Sequence, residues 1–464
     1  MSVLILHHRG TLAAHAYDRW LADYEGDVLL LASKEHLGWV GEELPTGETG
    51  YSHMEALDDY EVGGVLEARV LDLARRYGVS RLFTCQEHDL ERAAQLREIL
   101  GLPGQTFSSA LPFRNKLLMK ETVQAAGIEV AAHRGVECAG DLVSFAREHG
   151  FPVVVKPRDG AGSIGVTVLR SREELDAFVA ERLDVYGPLQ SNLMVEAFVP
   201  GAMCHVDGLV VDGKVALAWP SQYLFTLASF KELRGGRHDV TLDRDDPLAR
   251  RLLDFTDRVL DALPCPPNFT FHAEVFHTPD DRLVLCEIAC RTGGAQTRGV
   301  IKTIFGAELN ECWVRAEAGL PLPIDIGPER PEPVKMTGQL LLSRRPGKVV
   351  ELPGEPPFPW VEEYKISVER GEVMRVSRYS ADVMCCFLVS GPDRATCQSR
   401  LQELEDWFLD GLVLEELPED EAPAPGGEAP AVPQDEVPAV PQDEVPAVPE
   451  GEASAVPEAS RSRS

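Results

Sequence analysis

The sequence is poor in positive charge. Across 464 residues, 45 lysines and arginines face 75 aspartates and glutamates, for a formal net charge of −30. Such a surface repels nucleic acid and anionic membrane faces, so a small-molecule partner is expected. No run of about 18 uninterrupted apolar residues occurs, and the opening MSVLILHHRG has neither a basic leader nor a cleavable apolar stretch. A cytoplasmic protein without a membrane partner is the expectation. The ten cysteines form no CxxC pair, the nearest approaches being Cys286 with Cys290 and the adjacent Cys385 and Cys386. Zinc ribbons and disulfide frameworks are therefore disfavoured, and the thiols are expected to be small buried hydrophobes. No GxGxxG follows the first strand-like run and GxxxxGK[ST] is absent, which leaves dinucleotide and Walker-type sites unsupported.

What is present suits a globular chain of two or three domains, with 44% hydrophobic residues. Strand-like SVLILHH, DVLLLAS and RLFTC alternate with the helical patterns LEARVLDLARRYG and DLERAAQLREILG, each closed by a glycine. Alternation of this kind predicts a parallel sheet with helices on its faces, a Rossmann-like domain over residues 1–110. Helices NKLLMKETVQAAG and GDLVSFAREHG follow, then strand LMVEAFV, a hairpin turning at Asp212-Gly213 and a long helix from Pro247. Residues 326–416 read as a smaller β-rich module with a closing helix. From Pro430 the unit PAVPQDEV occurs twice, then degenerates to PAVPEGEA. Proline and acid leave little to bury, so 417–464 is expected to be a disordered tail. From Glu415 onward 13 acids meet 2 arginines, a charge of −11, which leaves −19 on the rest.

Two stretches carry candidate chemistry. VVVKPRDGAGSIGV delivers Lys156 to the edge of a run containing Gly160, Gly162, Ser163 and Gly165. Backbone N–H groups and an ammonium so placed can cradle anionic oxygens, although a plain turn between strands fits the same residues. In FTFHAEVFHTPDDRLVLCEIACRTGG, a four-residue loop at 279–282 would set residues summing to 561 opposite one another, Glu274 facing Glu287. Like charges that close repel, so a hard divalent cation is expected between them unless a register slip parts them.

Taken together, Lys116 on a helix, Lys156 before the glycine loop, Glu196 in MVEAFVPG and the paired carboxylates closed by EIACRTGG resemble the ATP-grasp superfamily over residues 1–320. The resemblance is to its carboxylate–amine ligases, including amino-acid and peptide ligases. It implies a two-subdomain ATP-grasp domain at 111–325, with a lid at about 111–195 and the second subdomain at about 196–325. It further implies that Lys116 and Lys156 contact ATP phosphates under a lid made by residues 160–165. Glu196 and the backbone at Phe198 and Val199 would read the adenine, Glu274 and Glu287 would hold Mg²⁺ or Mn²⁺, and Arg291 would act with Lys156 in catalysis. Two departures stand out. Met203 occupies the place of a ribose-binding carboxylate, with His205 or Asp207 as substitutes, and Ala289 replaces an asparagine that often supplies a further metal ligand.

The implied reaction activates a carboxylate as an acyl phosphate and joins it to an amine, with ADP and phosphate released; a homodimer is the expected assembly. Alternatives are a biotin-carboxylase-like enzyme and a non-catalytic ATP-binding scaffold. Lys231, Arg234, Arg237 and His238 form a cationic cluster for a substrate carboxylate or a solvated loop. Gln296 and Arg298 either line the acceptor pocket or serve the surface. Glu87, His88 and Asp89, with His7 and His8, fall near the strand ends where open α/β sheets bind ligands, or act structurally.

Overall fold

A computed structural model describes residues 2–182, 192–225, 235–377 and 382–416. The repeat tail and the Lys231 and Arg234 part of the cationic cluster lie outside these residues. All the described residues fall within one compact unit.

The chain opens with β1 (Ser2–His7), α1 (Tyr17–Trp20), β2 (Asp27–Ser33), α2 (Lys34–Trp39), β3 (His53–Leu57), α3 (Val65–Tyr77), β4 (Val79–Thr84) and α4 (Leu90–Leu100). The four strands form a parallel sheet in the order β3-β2-β1-β4. Every residue of β1 is buried, as a central parallel strand covered on both faces demands. Helix α3 buries Leu66, Val70 and Leu73, one stripe of its surface, and ends where Gly78 turns left-handed at φ +62°.

Next come α5 (Phe107–Arg114), α6 (Lys116–Ala125), β5 (His133–Val136), α7 (Ala139–His149), β6 (Val153–Pro157), β7 (Thr167–Leu169), α8 (Arg172–Arg182) and β8 (Leu193–Ala197). Strands β5 to β8 form an antiparallel sheet ordered β5-β8-β6-β7. Asn115 caps α6, its side chain accepting from the Leu117 and Leu118 N–H groups at 3.1 Å each, which fixes where the lysines of that helix begin.

The remainder comprises β9 (Ala202–Val211), β10 (Lys214–Tyr223), β11 (Arg237–Thr241), α9 (Pro247–Ala262), β12 (Phe269–His277), β13 (Leu283–Ala289), α10 (Thr297–Phe305), α11 (Leu309–Ala318), β14 (Met336–Ser343), β15 (Gly347–Glu351), β16 (Val361–Ile366), β17 (Val373–Met374), β18 (Val383–Gly391), α12 (Arg394–Gly411) and β19 (Val413–Glu415). The β9–β10 hairpin turns at Asp212 and Gly213, both at positive φ (+49° and +75°), as the Asp-Gly pair predicts.

One eight-stranded sheet runs β13-β12-β9-β10-β11-β14-β18-β16. The C-terminal strands thus continue the sheet of the preceding segment through the β11–β14 ladder, where Asp239 faces Gln339. They nevertheless build a core of their own around Leu340, Phe387, Leu401 and Phe408. A small sheet, β17-β15-β19, completes that region.

Candidate active site

The β12–β13 hairpin differs from its expected geometry at two points whose effects cancel. His277 pairs with Leu283, so the loop has five residues, one more than the sequence spacing suggests. A bulge then inserts Cys286, and the register recovers at Glu274 opposite Glu287. Both carboxylates line a cavity of about 490 Å³ together with Lys116, Lys156, residues 160–164 and the hinge residues 196–199. The acidic couple, the two lysines and the glycine loop therefore share one site.

The loop over this cavity holds Gly162, Ser163 and Gly165 at φ +63°, +61° and +75°. A side chain at Gly165 would approach Pro157 Cγ to 2.9 Å, so glycine is required there both for torsion and for space. Lys116 Nζ donates to the Gly160 carbonyl and lies 3.2 Å from Glu287 Oε2, tying the loop to the acidic couple. A backbone hydrogen bond from Lys116 N–H to Arg158 O, 2.8 Å, reinforces the link.

Glu196, expected to read the adenine, lines the cavity and is also held by two lysines. Its carboxylate is clamped between Lys156, at 2.6 Å, and Lys120, at 3.1 Å, all three side chains being buried. Burial alone would raise the Glu196 pKa, but the two ammonium groups bring it down to about 2. Burial likewise favours a neutral Lys156, and the Glu196 charge overrides it and raises that pKa. Lys120 was missed in the sequence, although it sits four residues after Lys116 on one face of α6, a spacing that announces a shared direction. Its ammonium also reaches the Leu285 carbonyl, 3.3 Å away on β13. Phe198 and Val199 line the cavity as expected, with Met203 and Phe276 adding apolar surface.

His205 does not reach the cavity. Only 1% exposed, it stands between Asp207 Oδ2, 2.6 Å from Nδ1, and Asp239 Oδ2, 2.9 Å from Nε2, and so cannot replace a ribose-binding carboxylate. Asp207 is equally committed, to His205 and to His272 Nδ1 at 2.8 Å. Tyr223, stacked on His205 at 4.6 Å between centroids, separates the pair from the cavity it lines.

Arg291 belongs to a second cavity, of about 400 Å³, at the strand-end side of the parallel sheet. Its Nε donates to Glu87 Oε2 at 2.8 Å, while Arg114 Nη1 donates to the other oxygen of Glu87 at 2.7 Å. Burial opposes the Glu87 charge, yet Arg291, Arg114 and Lys116 bring its pKa to about 2. Burial works against the Arg291 charge, but Glu87 foremost, with Glu287 and Glu274 adding to it, raises its pKa. Arg298 lines the second cavity and pairs with Glu308 at 2.6 Å, whereas Gln296 bonds Cys386 and Gln339.

Most of the other sequence candidates are engaged in structural contacts. Asp89 is buried and accepts from Tyr60 O–H at 2.8 Å, His8 contacts Glu61, and His7 is bonded to Tyr17 and Gly10. His88 lines the second cavity. Arg237 and His238 lie in β11, Arg237 buried against Phe225 and His238 bonded to Glu405 at 2.6 Å, so neither forms a free cationic loop. Seven of the ten cysteines are buried and all are free thiols, Cys138 being exposed.

The cavity and its lysines coincide with an independent match. The family model described as carbamoyl-phosphate synthase L chain, ATP binding domain, matches residues 115–211. Among curated proteins, the chain is 25% identical over 262 residues to the L-arginine-specific L-amino acid ligase of Bacillus subtilis, covering 56% of this chain and 62% of that one. It is 33% identical over 109 residues to the D-alanine–D-alanine ligase of Geobacter sulfurreducens, covering 23% of this chain and 33% of that one. The chain thus spans less than two thirds of the length of either relative. Among solved structures, the L-amino acid ligase from Bacillus licheniformis superposes with a TM-score of 0.69 at 16% identity, covering 90% of this chain and 99% of that chain. The biotin carboxylase domain of the Hydrogenobacter thermophilus 2-oxoglutarate carboxylase gives 0.61 at 13% identity, covering 89% and 90%. Fold, cavity and matches together identify the chain as a protein of the ATP-grasp fold.

Proposed function

We propose that this chain is an ATP-dependent ligase that activates a small carboxylate as an acyl phosphate and joins it to an amine, with release of ADP and phosphate. The observation that carries this reading is the facing Glu274–Glu287 couple, held in one cavity with Lys116 and Lys156 and next to a second cavity that contains Arg291. Oxygen donors in that arrangement fit a hard cation, so the two glutamates would hold magnesium, with manganese as a substitute. Bound Mg·ATP supplies the phosphoryl group that turns the acid into a mixed anhydride.

The remaining work falls to the protein. Lys116 and Lys156 neutralise clustered phosphate charge, and they do so strongly because both are buried. Residues 160–165 close over the phosphates and exclude water from the anhydride. Arg291, held by Glu87 and lining the second cavity, stabilises charge where the acid and the transferred group meet. The acid and the amine enter through the second cavity, whose lining of Gly10, Ala14, Gly293, Gly294 and Ala295 leaves room for a small substrate. A cytoplasmic setting suits ten free thiols. A homodimer is the assembly we favour, supported by the biotin carboxylase domain above, which is a dimer.

Phosphate release from Mg·ATP, screened over amino acids offered singly and in pairs and followed by mass measurement of the product, tests this reading. Release that needs a pair and yields a mass equal to the two acids minus water supports it. Release driven by bicarbonate alone would instead make the chain a carboxylase, and nucleotide binding without release across the panel would make it a scaffold.

A further inference from the structure

Behind the nucleotide cavity, the same face of the large sheet carries a buried group of charges that the proposed reaction does not use. His205 and Asp207 on β9, His272 on β12 and Asp239 on β11 are 1%, 2%, 8% and 2% exposed. The Nδ1 atoms of the two histidines converge on Asp207, His205 at 2.6 Å from Oδ2 and His272 at 2.8 Å from Oδ1. Their remote Nε2 atoms point away, His205 to Asp239 Oδ2 at 2.9 Å and His272 to Glu274 Oε1 at 3.6 Å. Carboxylates accept and do not donate, so His205, with a carboxylate on each nitrogen, carries both protons.

The convergence of two imidazoles on one carboxylate, each ring with its far nitrogen turned to another carboxylate, is the arrangement in which proteins orient histidine ligands to a metal. One ligand atom from each of His205, Asp207 and His272 lies within 4.8 Å of the others. The fourth side is kept clear by Gly293. A Cβ at that position would sit 2.7 Å from Asp207 Oδ1, 2.8 Å from His272 Nδ1 and 2.7 Å from Thr297 Oγ1. Gly293 also lines the second cavity, which provides a route of entry.

We infer that His205, Asp207 and His272 form a binding site for one transition-metal dication, zinc by preference, separate from the magnesium couple. The ligand set decides the class, since imidazole selects zinc-like ions over magnesium. Charge decides the stoichiometry. Binding breaks two N–H bonds, at His205 Nδ1 and His272 Nδ1, releases two protons to solvent and forms two metal–nitrogen bonds and a metal–carboxylate bond. Two positive charges leave and two arrive, so the buried group keeps its balance. Zinc–nitrogen and zinc–oxygen distances of about 2.0–2.2 Å require the two bridging contacts to open by roughly half an ångström. The ion would fix the His272 ring, and through its Nε2 the orientation of Glu274.

The test uses the full chain, stripped with chelator, incubated with zinc in a large excess of magnesium, desalted and analysed for metal. Retention of about one zinc per chain is expected, with loss in His272→Asn and in His205→Gln. Asp239→Asn, which alters the remote partner of His205 and its bond from Gln339 while leaving the three ligands in place, should weaken retention by roughly 10–100-fold. Cobalt in place of zinc should give visible ligand-field bands without the near-ultraviolet thiolate band that binding to cysteine would produce. Wild-type protein that keeps no metal beyond the stripped control, both histidine variants retaining it, or a thiolate spectrum would each overturn the site. The measurement reads metal and not turnover, so its outcome is independent of the ligase reading.

Discussion

Changing Glu196 to Gln removes one negative charge from between two buried ammonium groups while leaving the side chain nearly the same shape. In the native chain the carboxylate lies 2.6 Å from Lys156 and 3.1 Å from Lys120, and its pKa falls from 4.5 to about 2. That gap corresponds to about 3 kcal/mol. The figure agrees with the lower end of the roughly 3–5 kcal/mol lost when one partner of a buried ion pair is removed. Spread over the unfolding entropy of the compact unit Met1–Ala422, this means that E196Q is expected to melt roughly 3–4 °C below wild type at neutral pH, followed by scanning fluorimetry. Lys156, which lines the cavity, would then lack its counter-charge, so a non-hydrolysable ATP analogue should raise the melting point of E196Q by more than that of wild type. A glutamate that reads adenine requires the opposite, a smaller nucleotide-induced rise in the variant. Melting within about a degree of wild type, or that smaller rise, would refute the charge clamp.

Three further outcomes are expected. Lys156→Ala and Glu287→Gln should each lower kcat by roughly 10²–10³-fold with an unchanged far-ultraviolet dichroism spectrum, and a near-native rate in either would contradict the phosphate and metal roles assigned to them. Burial brings the pKa of His7 to about 3 and that of His15 to about 4, so both stay neutral in the folded chain while the unfolded chain takes up protons below 6.5. Stability should fall as pH drops from about 6.5 towards 4, by on the order of 3 kcal/mol from His15 alone, and urea unfolding that shows no loss over that interval would count against it. Gly201 has φ +151°, and a Cβ there would lie 2.5 Å from the His277 carbonyl. Gly201→Ala should therefore cost about 2–3 kcal/mol, read as a lowered urea midpoint.

Much of the site could be read from local pattern. The Asp212-Gly213 turn, the helix stop at Gly78 and the pairing of Glu274 with Glu287 all depend on spacings of a few residues, where torsion and side-chain alternation act directly. The hairpin register was right for an incomplete reason, because a longer loop and a bulge at Cys286 offset one another, and no side-chain pattern signals such a cancellation. What eluded the sequence depends on distant partners. Glu87 meets Arg291 across 204 positions, and His205 meets Asp239 across 34, so neither pairing leaves a periodic trace. The assignment of His205 to the ribose failed for the same reason. Its place in β9 is legible, but the carboxylates on both of its nitrogens come from the fold.

The ladder between β11 and β14 bears on how this chain can be divided. A fragment ending near residue 326 would leave β11 with an open edge, its Val240 and the buried Asp239 exposed to solvent and to other chains. Shortened or recombined versions that keep the nucleotide cavity must therefore retain the strands through Gly391. Loops around the second cavity, by contrast, can be exchanged between relatives without cutting that ladder.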